Sequence, residues 1–211
     1  MDENEKTGDA PADVRLGPVE TLSAGFRRFE RHHFELEGGD GPCRYDRDLL
    51  RVGLVVGVLP VDVKRGEVVL VRQFRIGAHL GLGRGSMLEL VAGIVEPGEE
   101  AHDAAARECR EEIGVAPARM VELFTLMTSP AVTDEVMRLF LADIDAAVAP
   151  AAAGNPDEGE VIAPARLPIG AALDLLAGGR IGNGPLIVAL QWLAAHRDGL
   201  ADLLDRAAPS R

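Results

Sequence analysis

The residues of this sequence best able to do chemistry are three glutamates that lie within little more than one helical turn. Glu108, Glu111 and Glu112 lie in the segment GIVEPGEEAHDAAARECREEIGV, residues 93–115. On a helix these three side chains would share one side within about 6 Å along the axis, and like charges that close repel one another unless a cation lies among them. Hard divalent cations prefer oxygen ligands, and Mg²⁺ also binds the oxygens of substrate phosphates. The spacing therefore predicts a metal site that acts on a phosphorylated substrate.

The other residues of this segment support such a site. Arg107 lies one turn before Glu111 and can hold its carboxylate by a charge-assisted hydrogen bond. Gly93 and Gly98 allow the backbone to turn tightly before the helix begins. The opposite side of the helix is predicted to lie close against a sheet, because its small and apolar residues recur at every fourth position: Ala101, Ala105, Cys109 and Ile113.

A solvated acidic helix face is the alternative interpretation, since most such faces bind no ligand. Seven residues at fixed offsets argue against it, because they match the pattern G-x5-E-x7-R-E-U-x-E-E-x-G-U, in which U is apolar. Such a match arises by chance about 10⁻⁶ times in a chain of this length, given ordinary residue frequencies. The matching residues are Gly93, Glu99, Arg107, Glu108, Glu111, Glu112 and Gly114.

This pattern is the Nudix box, and the chain resembles the Nudix hydrolases, in particular their bacterial ADP-ribose pyrophosphatases. The resemblance covers about residues 18–197 and includes further segments at 69–75, 88–93, 129–130, 157–160 and 189–193. It implies an α+β fold, an α/β/α sandwich with a mixed central sheet, a catalytic loop-helix-loop and an N-terminal antiparallel β region. It also implies Mg²⁺-dependent hydrolysis, with Mn²⁺ as a substitute, of a nucleoside diphosphate linked to another group.

The resemblance assigns the metal ligands and the base. Glu108, Glu112 and the backbone carbonyl of Ala92 would bind the metal, with Glu111 beside them and Arg107 in the catalytic set. A glutamate on the loop before the last helices would orient or deprotonate the attacking water. Glu158 matches that position, and Glu160 is a second candidate for the base or a metal ligand. Taken alone, either residue could instead belong to a solvated acidic loop.

The resemblance also assigns substrate contacts. Phe26 would stack on the substrate, Arg47 and Arg75 would hold phosphate or ribose, and Glu135 would lie in the active site. The residues alone leave a packed core position open for Phe26 and a surface ion pair open for Arg47. At 131–132 the chain has Ala-Val where relatives commonly have Gly-Gly, which puts in doubt the group beyond the second phosphate. ADP-glucose or GDP-mannose is therefore the alternative substrate, and a non-catalytic module that senses ADP-ribose is the alternative class.

The elements that must position these residues can be predicted from periodicity and turn residues. Residues 1–17 are predicted to be a flexible tail, 18–50 the N-terminal β region, which relatives exchange between subunits of a homodimer, 51–197 the Nudix domain and 198–211 a C-terminal tail. Strands are predicted at 25–36, 52–59, 67–75, 87–91, 120–127 and 136–143. Helices are predicted at 99–113, 168–177 and 185–196, and loops at 79–85 and 146–159.

The composition restricts the partners and the compartment. A net charge of −12 argues against nucleic-acid binding, which needs a surplus of Lys and Arg. The longest apolar run, 52–61, is far below the ~20 residues that span a bilayer. The two cysteines, Cys43 and Cys109, form no disulfide framework or zinc motif. The sequence therefore predicts a soluble, cytoplasmic protein that binds a small molecule.

Overall fold

A computed structural model describes residues 8–38, 41–150 and 162–206. The chain divides into two units. The first comprises Met1–Val52 and Ser129–Glu135, and the second comprises Gly53–Thr128 and Val136–Arg211. The short segment 129–135 thus belongs with the N-terminal region, although it lies far along the sequence.

The first unit contains an antiparallel sheet of three long strands. These are β1 (Val14–Ala24), β2 (Arg28–Gly38) and β3 (Gly41–Arg51), in the order β1-β2-β3. The predicted antiparallel region is therefore present, but the predicted tail at 1–17 extends too far. Val14 and Leu16 pair with Leu36 and Phe34, so the strand begins inside that tail. The tail is polar and interrupted by glycine and proline, so its composition did not indicate a strand. The strand forms because its backbone pairs with β2.

The second unit is built on a seven-stranded mixed sheet. Its strands are β4 (Leu54–Asp62), β5 (Glu67–Phe74), β6 (Ser86–Glu89), β7 (Val91–Ile94), β8 (Arg119–Met127), β9 (Val136–Asp143) and β10 (Ala163–Pro168). The order is β10-β5-β4-β9-β8, with β6 paired to β5 and β7 to β4. β4 and β9 run parallel, and the other pairs are antiparallel. β4 is buried on both faces, as its continuous apolar run indicates.

Helices cover both faces of this sheet. The helices are α1 (Ile76–Leu82), α2 (Ala101–Ile113), α3 (Ile169–Ala177), α4 (Gly184–His196) and α5 (Leu200–Asp205). Val56 and Val58 of β4 pack in one cluster with α2, whereas Leu59 and Val61 pack in another with α4 and α5. The second unit is therefore an α/β/α sandwich of the α+β class, as predicted.

The local structure differs from the sequence predictions at four further places. The loop at 79–85 contains part of α1, a helix that buries no residue and so shows no amphipathic period. The predicted strand at 87–91 is two strands, β6 and β7. β10 was not predicted; it contains two prolines, which an edge strand tolerates. Part of the predicted C-terminal tail is α5, which buries Leu200 and Leu204.

The predicted loop at 146–159 is described only at its start. A short 3-10 helix spans Ala146–Val148, and Ala146 is buried. Among the described residues, no helix is long and apolar enough to cross a membrane.

Candidate active site

The glutamate-rich segment forms α2 and the loop before it. α2 begins at Ala101, slightly later than predicted, because Glu99 and Glu100 belong to the preceding loop. In that loop the Glu99 carboxylate accepts a hydrogen bond from the Glu96 amide at 3.0 Å. The helix ends at Ile113 and is capped by Gly114, whose φ of 67° is the left-handed conformation that suits glycine.

The sheet-facing side of α2 is made of small residues, as predicted. Ala101, Ala105, Cys109 and Ile113 are all buried in the cluster that joins α2 to the sheet. Burial raises the pKa of the Cys109 thiol, with a further contribution from the charges of Glu112 and Glu108. Cys109 therefore stays protonated at neutral pH and acts as a packing residue.

Glu108 and Glu112 are held against strand β7. Their exposed fractions are only 8% and 5%. The amide of Ala92 donates a hydrogen bond to Glu112 Oε2 at 3.1 Å. Gly93 touches the Glu108 carboxylate so closely that a Cβ atom on residue 93 would overlap it. Two buried carboxylates one turn apart are costly unless cations or hydrogen bonds compensate them, so Glu108 and Glu112 are the centre of the candidate site.

Glu111 differs from the other two glutamates. Its side chain is 48% exposed, and its carboxylate accepts a hydrogen bond from Arg107 at 3.0 Å. The structure thus confirms the predicted contact between Arg107 and Glu111. Glu111 is therefore exposed, whereas Glu108 and Glu112 are buried.

Arg107 connects the loop, the helix and β7. Its guanidinium donates two hydrogen bonds to Glu99, at 2.9 and 3.0 Å, one to Glu108 at 2.6 Å and one to the carbonyl of Ile94 at 3.0 Å. The hydrogen bonds to Glu99 are the largest cause that raises the pKa of Arg107, and Arg107 in turn lowers the pKa of Glu99. Arg107 therefore remains charged and fixes the position of the Glu108 carboxylate. The contact with Glu99 was not predicted, although both residues belong to the matched pattern.

The chemistry of these groups fits a divalent cation of the Mg²⁺ type. The carboxylates of Glu108 and Glu112 are hard oxygen donors, the backbone of Ala92 lies against Glu112, and the close approach at Gly93 leaves no room for a side chain there. Across residues 8–38, 41–150 and 162–206, no three acidic, histidine or cysteine side chains converge into a ready-made metal site. A magnesium site needs no such protein cage, because water and substrate phosphates complete it.

Arg75, a predicted substrate contact in the second unit, follows the end of β5. Its guanidinium is half-exposed and donates to the carboxylate of Glu89 on β6 at 2.8 Å. Glu89 was not singled out from the sequence. Two signals could have found it: Glu89 is the one acid in the otherwise apolar run MLELVAG, and it lies in the segment 88–93 that resembles the family.

Three other predicted contacts lie in the first unit. Phe26 is 96% exposed in the turn between β1 and β2, with the Arg27 guanidinium 5.1 Å from the centre of its ring. The alternative of a packed core position is therefore wrong. Arg47 lies 5.5 Å from the ring centre of Tyr45, and its guanidinium donates to the carbonyl of Asp46. The amide of Glu135 donates to the Thr133 hydroxyl at 3.1 Å.

The predicted base residues Glu158 and Glu160 lie outside the described residues. Their assignment stays a prediction.

Comparison with known proteins identifies the family. A family model described as the NUDIX domain matches residues 52–189, which include the whole of α2 and its preceding loop. The chain belongs to the Nudix hydrolase family. Nudix hydrolases generally use divalent metal ions, in agreement with the donor set on α2.

Named relatives of this Nudix hydrolase act on nucleotide sugars. The ADP-ribose pyrophosphatase of Escherichia coli strain K12 is 33% identical over 190 residues, covering 89% of this chain and 91% of the relative. That of Haemophilus influenzae is 34% identical, covering 86% of each. The GDP-mannose pyrophosphatase of Klebsiella pneumoniae is 32% identical, covering 76% of this chain and 81% of the relative. A crystal structure of an ADP compounds hydrolase shares the fold, with a TM-score of 0.64, 23% identity and coverage of 90% of this chain and 98% of that one.

Replacing Arg107 with lysine is expected to lower the turnover of this Nudix hydrolase by about 10- to 100-fold. Lysine keeps the charge but cannot bridge Glu99, Glu108 and Ile94 at once, and small displacements of catalytic groups cost that much. The measurement is kcat under saturating metal, with thermal unfolding to confirm the fold. Arg110→Lys is the control, because Arg110 is exposed on the same helix. Equal kcat for both variants would show that Arg107 has no positioning role.

Proposed function

We propose that this Nudix hydrolase cleaves the pyrophosphate of ADP-ribose, giving AMP and ribose 5-phosphate, with Mg²⁺ as its metal ion and Mn²⁺ as a substitute. The observation that carries the proposal is the buried pair Glu108 and Glu112 held against Ala92 and Gly93. The names and coverage of the relatives support the choice of ADP-ribose.

The residues of this chain divide the work of hydrolysis. Glu108, Glu112 and the carbonyl of Ala92 would hold the metal ion, and Arg107 keeps Glu108 and Glu111 in place. When bound, Mg²⁺ supplies charge neutralisation at the phosphates and lowers the pKa of water.

Water attacks one phosphorus, the bond from that phosphorus to the bridging oxygen breaks, and the second phosphate leaves with that oxygen. The proton of the attacking water passes to a carboxylate on the loop before the last helices. Glu158 is the first candidate for this base and Glu160 the second.

Four residues are proposed to hold the substrate. The exposed ring of Phe26 is suited to stack on a base, because a large aromatic surface left in water has no packing role. Arg47 and Arg75 would bind phosphate or ribose through charge-assisted hydrogen bonds. Glu135 would accept hydrogen bonds from the sugar.

A panel of nucleotide sugars tests the proposed substrate. We expect kcat/KM for ADP-ribose to exceed that for ADP-glucose and GDP-mannose by at least ~10-fold, since pocket contacts worth 1–3 kcal/mol separate such substrates. GDP-mannose is the second candidate, because a relative named GDP-mannose pyrophosphatase is 32% identical to this chain. Equal or faster turnover of GDP-mannose would reverse the order. ADP-ribose binding without turnover would favour a non-catalytic sensor.

A homodimer is the proposed assembly. The three-stranded sheet of the first unit exposes large apolar side chains that a second subunit would cover, namely Val14, Leu16, Val19, Leu22, Phe29 and Leu50. The free thiols of Cys43 and Cys109 suit the reducing cytoplasm that the sequence predicts.

A further inference from the structure

A buried carboxylate holds the guanidinium of Arg75. We propose that Glu89 is a positioning residue, which orients Arg75 to bind the phosphate or ribose of the substrate. This inference rests on the proposed function, in which Arg75 contacts the substrate.

The geometry of the pair fixes the plane of the guanidinium. Arg75 Nε lies 3.1 and 3.2 Å from the two carboxylate oxygens of Glu89, and Nη2 lies 2.8 Å from Oε2. Such a side-on pair restrains the rotation of the whole guanidinium, which a single contact does not.

The two partners differ in burial. The side chain of Glu89 is 9% exposed, whereas that of Arg75 is 48% exposed. A buried carboxylate without a cationic partner is costly, so Glu89 strongly favours the arginine in this position. The half-exposed arginine can still present part of its guanidinium to a ligand. This is the arrangement expected when one residue orients and the other binds.

The backbone around the pair is also fixed. The amide of Arg75 donates to the carbonyl of Gly85 at 2.8 Å, and Glu89 is the cross-strand partner of Val71. Val71 packs in the cluster that contains α2, and cross-strand partners point to the same face. Glu89 therefore lies on the α2 side of the sheet.

Glu89 also lies three positions before Ala92, which contacts Glu112. The short run from β6 to β7 thus carries both the carboxylate that orients Arg75 and the backbone that meets the proposed metal ligand. A rigid connection of this kind would hold Arg75 at a fixed distance from the glutamates of α2.

A double-mutant cycle tests the inference. We expect Glu89→Gln to raise KM for ADP-ribose by about 10-fold with kcat changed less than about 2-fold, because the lost interaction acts on binding. Arg75→Gln is expected to raise KM at least as much. In the Arg75→Gln background, Glu89→Gln should have no further effect on KM, since it acts only through Arg75.

Two further variants separate positioning from structure. Glu67→Gln removes a comparable cross-strand ion pair, with Arg166, from the other end of β5, and is expected to leave KM unchanged. Glu89→Asp keeps the buried charge, shortens the side chain and is expected to give an intermediate KM. It serves as the test if Glu89→Gln unfolds.

These measurements distinguish a failure of the proposed function from a failure of the roles given to Arg75 and Glu89. No hydrolysis of ADP-ribose by the wild-type protein would overturn the proposed function. Normal hydrolysis with an unchanged KM for Arg75→Gln would remove Arg75 from the substrate site and Glu89 with it. A KM effect of Glu89→Gln that multiplies with that of Arg75→Gln would overturn the positioning role alone.

Discussion

Replacing Glu112 with glutamine is expected to lower kcat by at least ~100-fold while the protein remains folded. Glutamine is nearly the same size, and its carbonyl oxygen can still accept the hydrogen bond from the Ala92 amide. What it loses is the negative charge of a buried oxygen donor. The measurement is steady-state hydrolysis of ADP-ribose at several Mg²⁺ concentrations, with thermal unfolding of both proteins.

Glu100→Gln is the matched control for this variant. Glu100 is exposed at the residue before α2, so its loss of charge is expected to change kcat by less than about 2-fold. Wild-type turnover by Glu112→Gln would remove Glu112 from the metal-binding set. A partial loss that high Mg²⁺ restores would agree with its role as a ligand.

Replacing Gly93 with alanine is expected to be nearly as damaging, although it adds one methyl group and changes no charge. The new Cβ would overlap the Glu108 carboxylate, so either that side chain or β7 must move. Because β7 also carries Ala92, movement of the strand would disturb the contact with Glu112. We expect kcat to fall by about 100-fold, since displacements of about 1 Å have that effect.

Unfolding and activity must be measured together for Gly93→Ala. Gly170→Ala is the control, because a Cβ there meets no neighbouring atom and a helical alanine is favourable. Unchanged kcat for Gly93→Ala would show that the Glu108 carboxylate can be displaced without loss of turnover. Loss of activity with loss of folding would be assigned to stability and not to the site.

The fold was largely predictable where apolar runs and turns are strong. The central strands and the helices α2, α3 and α4 lie within a few residues of their predicted bounds, because their apolar runs are long and glycine or proline residues mark where the helices begin or end. α1 and β10 were missed for opposite reasons. α1 buries nothing and therefore has no period, whereas β10 contains prolines that only an edge position tolerates.

The candidate site was predictable as a set of residues but not as an arrangement. The pattern gave the glutamates, Arg107 and Gly93, yet helical geometry placed all three glutamates together, and the structure buries only Glu108 and Glu112. The contact between β7 and α2 decides which of the three glutamates is buried. That contact is long-range, and no local sequence pattern encodes it. Glu89 was missed for the same reason, because its partner Arg75 is brought to it by the pairing of β5 with β6.

Calorimetric titration of Mg²⁺ into the protein, with a non-hydrolysable ADP-ribose analogue bound, measures whether Glu108 and Glu112 hold the metal ion. We expect saturable binding to the wild-type protein and at least ~10-fold weaker binding to both Glu108→Gln and Glu112→Gln. We also expect weaker binding without the analogue, since substrate phosphates complete the coordination. Equal binding to all three proteins, or no binding to the wild type, would contradict the claim that these two carboxylates hold the metal ion.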